Sequence, residues 1–204
     1  MTSGQHEQLQ NDIDYMKTLA EQGGRGPIRN GATLFWAGLI YGAAAVAHYA
    51  MIEGYLPKSS AVSAIIWLGA SVIFGIIATV FCFGRNRVRG SISNRASASA
   101  WSAVGIGIFA FIASVAVIAN ITQTFEPMSY LIAPVILLLY GMGWWVSALM
   151  SGTTWLKWVS LGCFLGAPAI ALLAEKPEQM LAYAVALTLF ATVPGWVLMR
   201  SARA

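Results

Sequence analysis

Six apolar runs, each close to the ~20 residues that a helix needs to cross a bilayer, organise the chain. They lie at about 33–52, 60–83, 101–122, 128–150, 155–174 and 180–199. Short breaks separate them: Gly54 to Pro57, Arg85 to Ala100, Glu126-Pro127, Ser151-Gly152, and Glu175 to Glu178. Lys157 sits near the start of the fifth run, where a lysine stem can carry its ammonium group up to the headgroups. Only 10% of the 204 residues are charged and 58% are hydrophobic. A soluble domain carries about 25% charged residues, so this chain cannot cover a water-facing surface. The expected fold is all-α: a polytopic integral membrane protein of six transmembrane helices. Residues 1–30 are read as a cytoplasmic amphipathic helix and linker, and 31–204 as the six-helix bundle.

Orientation follows from the basic residues, which concentrate on cytoplasmic loops. With the N-terminus inside, that side receives Lys17, Arg25, Arg29, Arg85, Arg87, Arg89, Arg95, Lys157, Arg200 and Arg203. The outside receives Lys58 and Lys176, together with Glu53, Glu126, Glu175 and Glu178. Both termini are therefore expected to be cytoplasmic, in the inner (plasma) membrane of a bacterium. The N-terminus starts polar and acidic, so no signal peptide is expected. Basic residues spread over separate short loops do not build a nucleic-acid surface. The four arginines Arg85, Arg87, Arg89 and Arg95 enforce topology. They also offer contacts to anionic lipid, at roughly 1 kcal/mol per basic residue.

Ahead of the first run, Leu9, Ile13, Met16, Leu19 and Ala20 recur at helical spacing. Glu7, Asp14, Lys17, Thr18 and Glu21 take the other face. Ser3 is a candidate N-cap and Gly23-Gly24 a stop. Such a helix lies on the membrane or the bundle, or docks a partner chain. Its mixed charge differs from the Lys- and Arg-rich polar face of a lipid-binding helix.

An ionisable residue at bilayer depth is the strongest functional signal in a membrane protein, and here it is nearly missing. All eight acidic residues lie outside the six runs. That weighs against ion- or proton-coupled transport. His48, near the outer end of the first run, is the one imidazole in a span. It reads as an interfacial residue, with a ligand or pH-sensing role as the sharper alternative. The second histidine, His6, is far from it in sequence, so no metal or haem site and no cofactor are expected. Tyr49, Ser63, Asn120, Thr122 and Tyr183 fall at the same outer level as His48 and can line a shallow polar pocket; polar and aromatic residues are also enriched at any membrane interface. Trp101, Trp144, Trp145, Trp155, Trp158 and Trp196 read as an inner aromatic belt on the same grounds. Cys82 and Cys163 read as small apolar core residues.

Small residues let helices approach closely in lipid. Gly38 with Gly42, and Gly162 with Gly166, form GxxxG pairs. Ala103 with Gly107 and Ser71 with Gly75 continue the theme. They serve packing within the chain, or self-association. Pro134, Pro168 and Pro194 interrupt the last three runs. Each frees a carbonyl four residues earlier, and kinked helices often line cavities. A ligand cavity is therefore expected, if anywhere, between these helices near Tyr140 and Trp144. Leu39 to Gly42 resembles Leu138 to Gly141, which is short enough to match by chance. No catalytic constellation is visible.

Three functions remain. The first is a non-enzymatic accessory, scaffold or regulatory protein, acting through self-association or with other membrane subunits. The second is an uncoupled small-solute transporter or channel. The third is an enzyme of lipid or quinone chemistry.

Overall fold

The computed structural model describes residues 8, 10–17, 31–83 and 92–201. Residues 10–17 form helix α1 and are all exposed. The rest of that helix, its linker, and Arg85, Arg87 and Arg89 lie outside the described residues. The helices that follow are α2 (Gly31–Ile52), α3 (Ser60–Phe83), α4 (Ile92–Thr122), α5 (Glu126–Ser151), α6 (Thr154–Ala171), α7 (Glu178–Leu187) and α8 (Val193–Ser201). A π-helical turn, Thr188–Thr192, joins α7 to α8. The described residues are otherwise turns and short connections.

Five segments are long and apolar enough to cross a membrane: Gly31–Ile52, Ser60–Phe81, Asn94–Thr122, Glu126–Ser151 and Glu178–Ser201. These are the helices of a membrane protein. The expected fifth run, 155–174, is not among them. Helix α6 has 18 residues, about 27 Å at ~1.5 Å per residue, and carries Lys157 in its first turn. It stops at Ala171 because the chain then tightens. Leu173, Ala174 and Lys176 each donate to the carbonyl three residues back, and Glu175 takes φ 68°. Helix α4, in contrast, starts at Ile92, well before the apolar run at 101. The Ser- and Ala-rich stretch between them continues the helix past the apolar region.

The helix ends have local causes. Gly54 (φ 89°) and Gly152 (φ 68°) hold left-handed conformations that a side chain rarely adopts, closing α2 and α5. Pro127 sits in the first turn of α5, where its missing N–H costs nothing.

Packing divides the molecule into a tight centre and two flanks. Helices α5 and α6 share the most extensive contact, α2 lies along α7, the π-turn and α8, and α7 joins the two groups. Close approach between α2 and the last segment depends on glycine. A Cβ on Gly31 would come within 2.7 Å of the Gly195 carbonyl oxygen, and one on Gly195 within 2.8 Å of the Gly31 oxygen. A Cβ on Gly38 would collide with the side chain and backbone of Thr192. In the centre, Leu137, Trp144, Leu156 and Cys163 have no exposed surface. Helix α3 packs on α2, and α4 on α5. Only 6% of the α3 span and 11% of the α4 span is buried, against 50% for α5. Ile65, Leu68, Ile76, Ile106 and Phe109 are among their exposed side chains.

The bundle has two chemically distinct ends. Gly31 beside Gly195 to Met199 puts the start of α2 level with the last turn of α8. Ser97 of α4 meets Ser147 of α5 at that same end. Arg95, Lys157 and Arg200 therefore share it. At the other end, Gln179 of α7 bonds both Tyr130 near the start of α5 and Ile170 near the end of α6. There the turns and helix starts carry Glu53, Lys58, Glu126, Glu175, Lys176 and Glu178.

The glycine contacts separate substitutions sharply. Gly38→Leu is expected to destabilise by about 1–3 kcal/mol through overpacking. Gly69→Ala and Gly105→Ala, where a Cβ meets nothing within 4 Å, are expected to be neutral or to raise stability slightly. Thermal unfolding in detergent checks all three.

Candidate functional site

The best-defined polar site lies between α2 and α3, towards the acidic end. Residues 41 and 48 stand two turns apart on α2. Facing them on α3 are 63, 67 and 71, one turn apart, so both rows follow one helix edge. The Trp67 Nε1–H donates to His48 Nδ1 at 3.0 Å. The Ser63 hydroxyl lies 3.5 Å from the same nitrogen. Further along, the Tyr41 hydroxyl donates to Ser71 Oγ at 3.4 Å, and Ser71 donates to its own helix at the Trp67 carbonyl, 2.8 Å away. Tyr41 also packs against Phe74, with ring centroids 5.6 Å apart. An indole N–H can only donate, so Nδ1 of His48 carries the lone pair and the neutral ring holds its proton on Nε2. His48, Ser63 and Trp67 are half-buried.

Of the residues expected to form an outer polar pocket, the structure brings His48 and Ser63 together. Tyr49 is half-buried on α2, within electrostatic reach of Glu53 and Glu178. Asn120 and Thr122 are exposed at the end of α4, which packs chiefly on α5, and Thr122 bonds back to the Ile118 carbonyl. Tyr183 is buried in the core. Trp67, the strongest partner of His48, lies outside the expected set. Its spacing of four residues from Ser63 was the available signal.

The proline-marked helices, where a cavity is expected if anywhere, carry a set of long-range hydrogen bonds. Pro134 and Pro194 are buried and Pro168 is exposed, so the three do not converge. Pro194 frees the Phe190 carbonyl, and Trp144 Nε1–H donates to it at 2.7 Å. Pro134 frees the Tyr130 carbonyl, and Gln179 Nε2 donates to it at 3.0 Å. Around Pro194 the chain widens to a π-turn, in which the Val193 N–H reaches the Thr188 carbonyl five residues back. The buried Thr192 hydroxyl in that turn has no hydrogen-bond partner. Trp144 is fully buried, so it is a core residue and not part of an aromatic belt. Tyr140, also buried, and Trp144 both meet Trp101, at centroid distances of 5.3 and 5.0 Å. Trp101 in turn donates to Ser147 Oγ at 3.1 Å, and Ser147 is 2.8 Å from Ser97 Oγ. Trp145, Trp158 and Trp196 are exposed, and Arg200 stacks 3.9 Å above the Trp196 ring.

The GxxxG glycines face neighbours within the chain. Gly42 is 3.8 Å from the Ala184 carbonyl by its added Cβ, Gly162 accommodates the Phe190 ring, and Gly166 meets Leu137 at 3.0 Å. Arg95 is exposed near the start of α4. Cys163 is a buried free thiol. An open pocket of about 590 Å³ lies between the start of α5 and the turn after α6, lined by Glu126, Pro127, Tyr130, Leu131, Ala174 and Glu175.

Trp144→Phe keeps a ring and removes the donor. An orphaned buried carbonyl costs about 1–3 kcal/mol, so a loss of that size is expected in thermal unfolding. In a Pro194→Ala background residue 194 regains an N–H that can serve Phe190, and the same change is expected to cost less. A double-mutant cycle that finds no coupling between the two positions contradicts this account.

The chain matches no family model, no curated protein and no solved structure.

Proposed function

We propose that the chain crosses the inner (plasma) membrane of a bacterium six times, with both ends cytoplasmic. In this reading it works there as a non-enzymatic accessory, scaffold or regulatory subunit. It acts through helix packing, with a second copy or another membrane subunit as partner and lipid around it. The observation that carries the reading is the uneven packing of the spans. Helices α3 and α4 make their main described contacts with one neighbour each, few of their residues are fully buried, and large apolar side chains such as Ile65, Leu68, Ile76, Ile106 and Phe109 are left to whatever surrounds the protein. In lipid, helices associate through close packing and polar contacts, and two such flanks offer lateral surface for it.

The sixth crossing is α6. In its favour, it runs back along α5 from the Gly152 turn to the level of Tyr130, where Gln179 ties the ends of both helices together. Its ~27 Å length falls little short of the ~30 Å hydrocarbon core, and Lys157 can reach the headgroups. The inward end follows from charge. Arg95, Lys157 and Arg200 share one end of the bundle, and the glutamates gather at the other. Less favourable to the transporter reading is that Tyr140 and Trp144 are themselves buried.

Native mass spectrometry from mild detergent tests the subunit role. A defined oligomer or a stoichiometric complex is expected, and a clean monomer without a protein partner overturns the proposal. A membrane-impermeant maleimide tests the topology separately. Lys58→Cys is expected to react in intact cells, and Arg200→Cys only after permeabilisation.

A further inference from the structure

We propose that the contact between α2 and α3 is a proton-sensitive latch, with His48 as the titrating group and Trp67 as the group released. The inference rests on hydrogen-bond geometry and not on the subunit role above.

The Trp67 indole spends its one donor on the Nδ1 lone pair of His48, at 3.0 Å. Protonating the ring puts a hydrogen on that nitrogen. An imidazolium has donors and no acceptor, so two N–H groups would then point at each other and the contact must break. The imidazolium has another partner in reach, since Ser63 Oγ is 3.5 Å from the same nitrogen and a hydroxyl oxygen can accept. Protonation thus exchanges one α3 residue for another one turn away. The contact is present while the ring is neutral and is lost as pH falls through the titration of His48.

Two features make this exchange matter to the fold. Helix α3 is the least buried of the five membrane-crossing segments, and α2 is the helix it packs on. A second polar tie between them runs from Tyr41 to Ser71, at 3.4 Å. The site is also within proton reach, because His48 is half-buried and lies one turn from the end of α2 at Ile52.

The charged groups nearest that end of α2 and α3 are of both signs, Glu53 and Lys58 in the turn between them. Along α3 there is no Asp, Glu, Lys, Arg, His or Tyr, and Cys82 lies near its opposite end. On α2 itself the titratable neighbours are Tyr41 and Tyr49, with Glu53 just beyond the helix. Helix α7 brings Glu178 and Tyr183, the π-turn brings none, and Arg200 of α8 sits at the far end of the bundle.

The test is a pH titration of the intact protein in lipid nanodiscs, read by two-dimensional NMR. The Trp67 indole N–H signal is assigned by its loss in Trp67→Phe, and the His48 ring carbons by comparison with His6→Ala. Between pH 8 and 5, the Trp67 signal is expected to move away from its hydrogen-bonded position. It should share its midpoint with the His48 ring. In His48→Asn, whose side-chain oxygen can accept from Trp67 without titrating, the Trp67 signal is expected to stay put. A Trp67 signal that does not move, that moves with a different midpoint, or that moves equally in His48→Asn overturns the latch. If His48→Asn does not fold, the two midpoints in the unsubstituted protein still decide it.

Discussion

A carbonyl stripped of its helical N–H inside a hydrocarbon solvent has no water to turn to, and the centre of this bundle is built around two such carbonyls. Pro194 releases Phe190 and Pro134 releases Tyr130. Each is met by a buried side chain from another helix, Trp144 and Gln179 respectively. The two bonds sit at different levels, so together they clamp α5 against the α7–α8 segment. Gln179 also reaches the Ile170 carbonyl and draws the end of α6 into the same clamp. The packing of α2 depends on this arrangement, because the π-turn beside Pro194 is the surface that Gly38 fits.

The clamp also explains why the centre and the flanks differ. Helices α5, α6 and α7 bury their side chains on one another and close the space around Trp144. Helix α4 joins this core along one line, where Trp101, Ser97 and Ser147 make a small polar knot at the basic end. Among the described residues, helix α3 joins chiefly through α2, by a row of polar and aromatic contacts from Ser63 to Phe74. Segments with few buried contacts are the ones that open at low free-energy cost. Dynamics in this molecule therefore concentrate in α3 and, to a lesser degree, in α4. That is where the proposed subunit role and the proposed latch both fall.

The helical, membrane-spanning character was legible in the residues because hydropathy and length act locally. An apolar run of twenty or more residues has to satisfy its backbone within itself, whatever surrounds it. The glycine pairs and prolines also stood out, since both have strong local effects on backbone approach and hydrogen bonding. Their meaning was not legible. A proline announces a freed carbonyl and says nothing of what captures it; the capturing Trp144 and Gln179 are 46 and 49 residues away in the chain. For the same reason Trp144 resembled a belt residue. The π-turn was invisible too, because a change of helical register alters no hydropathy.

The sequence by itself thus determined that the chain is helical and apolar enough for a membrane, and where most helices begin and end. These follow from chain-local chemistry: transfer into lipid, backbone hydrogen bonding and turn conformation. Tertiary structure alone decided that His48 meets Trp67, that the proline helices close on a packed core, and that α3 and α4 are left as flanks. These depend on which side of each helix turns inward. In a chain whose helices are apolar all round, that choice is made by complementary shapes and a few buried polar groups, neither of which shows in a run of apolar residues.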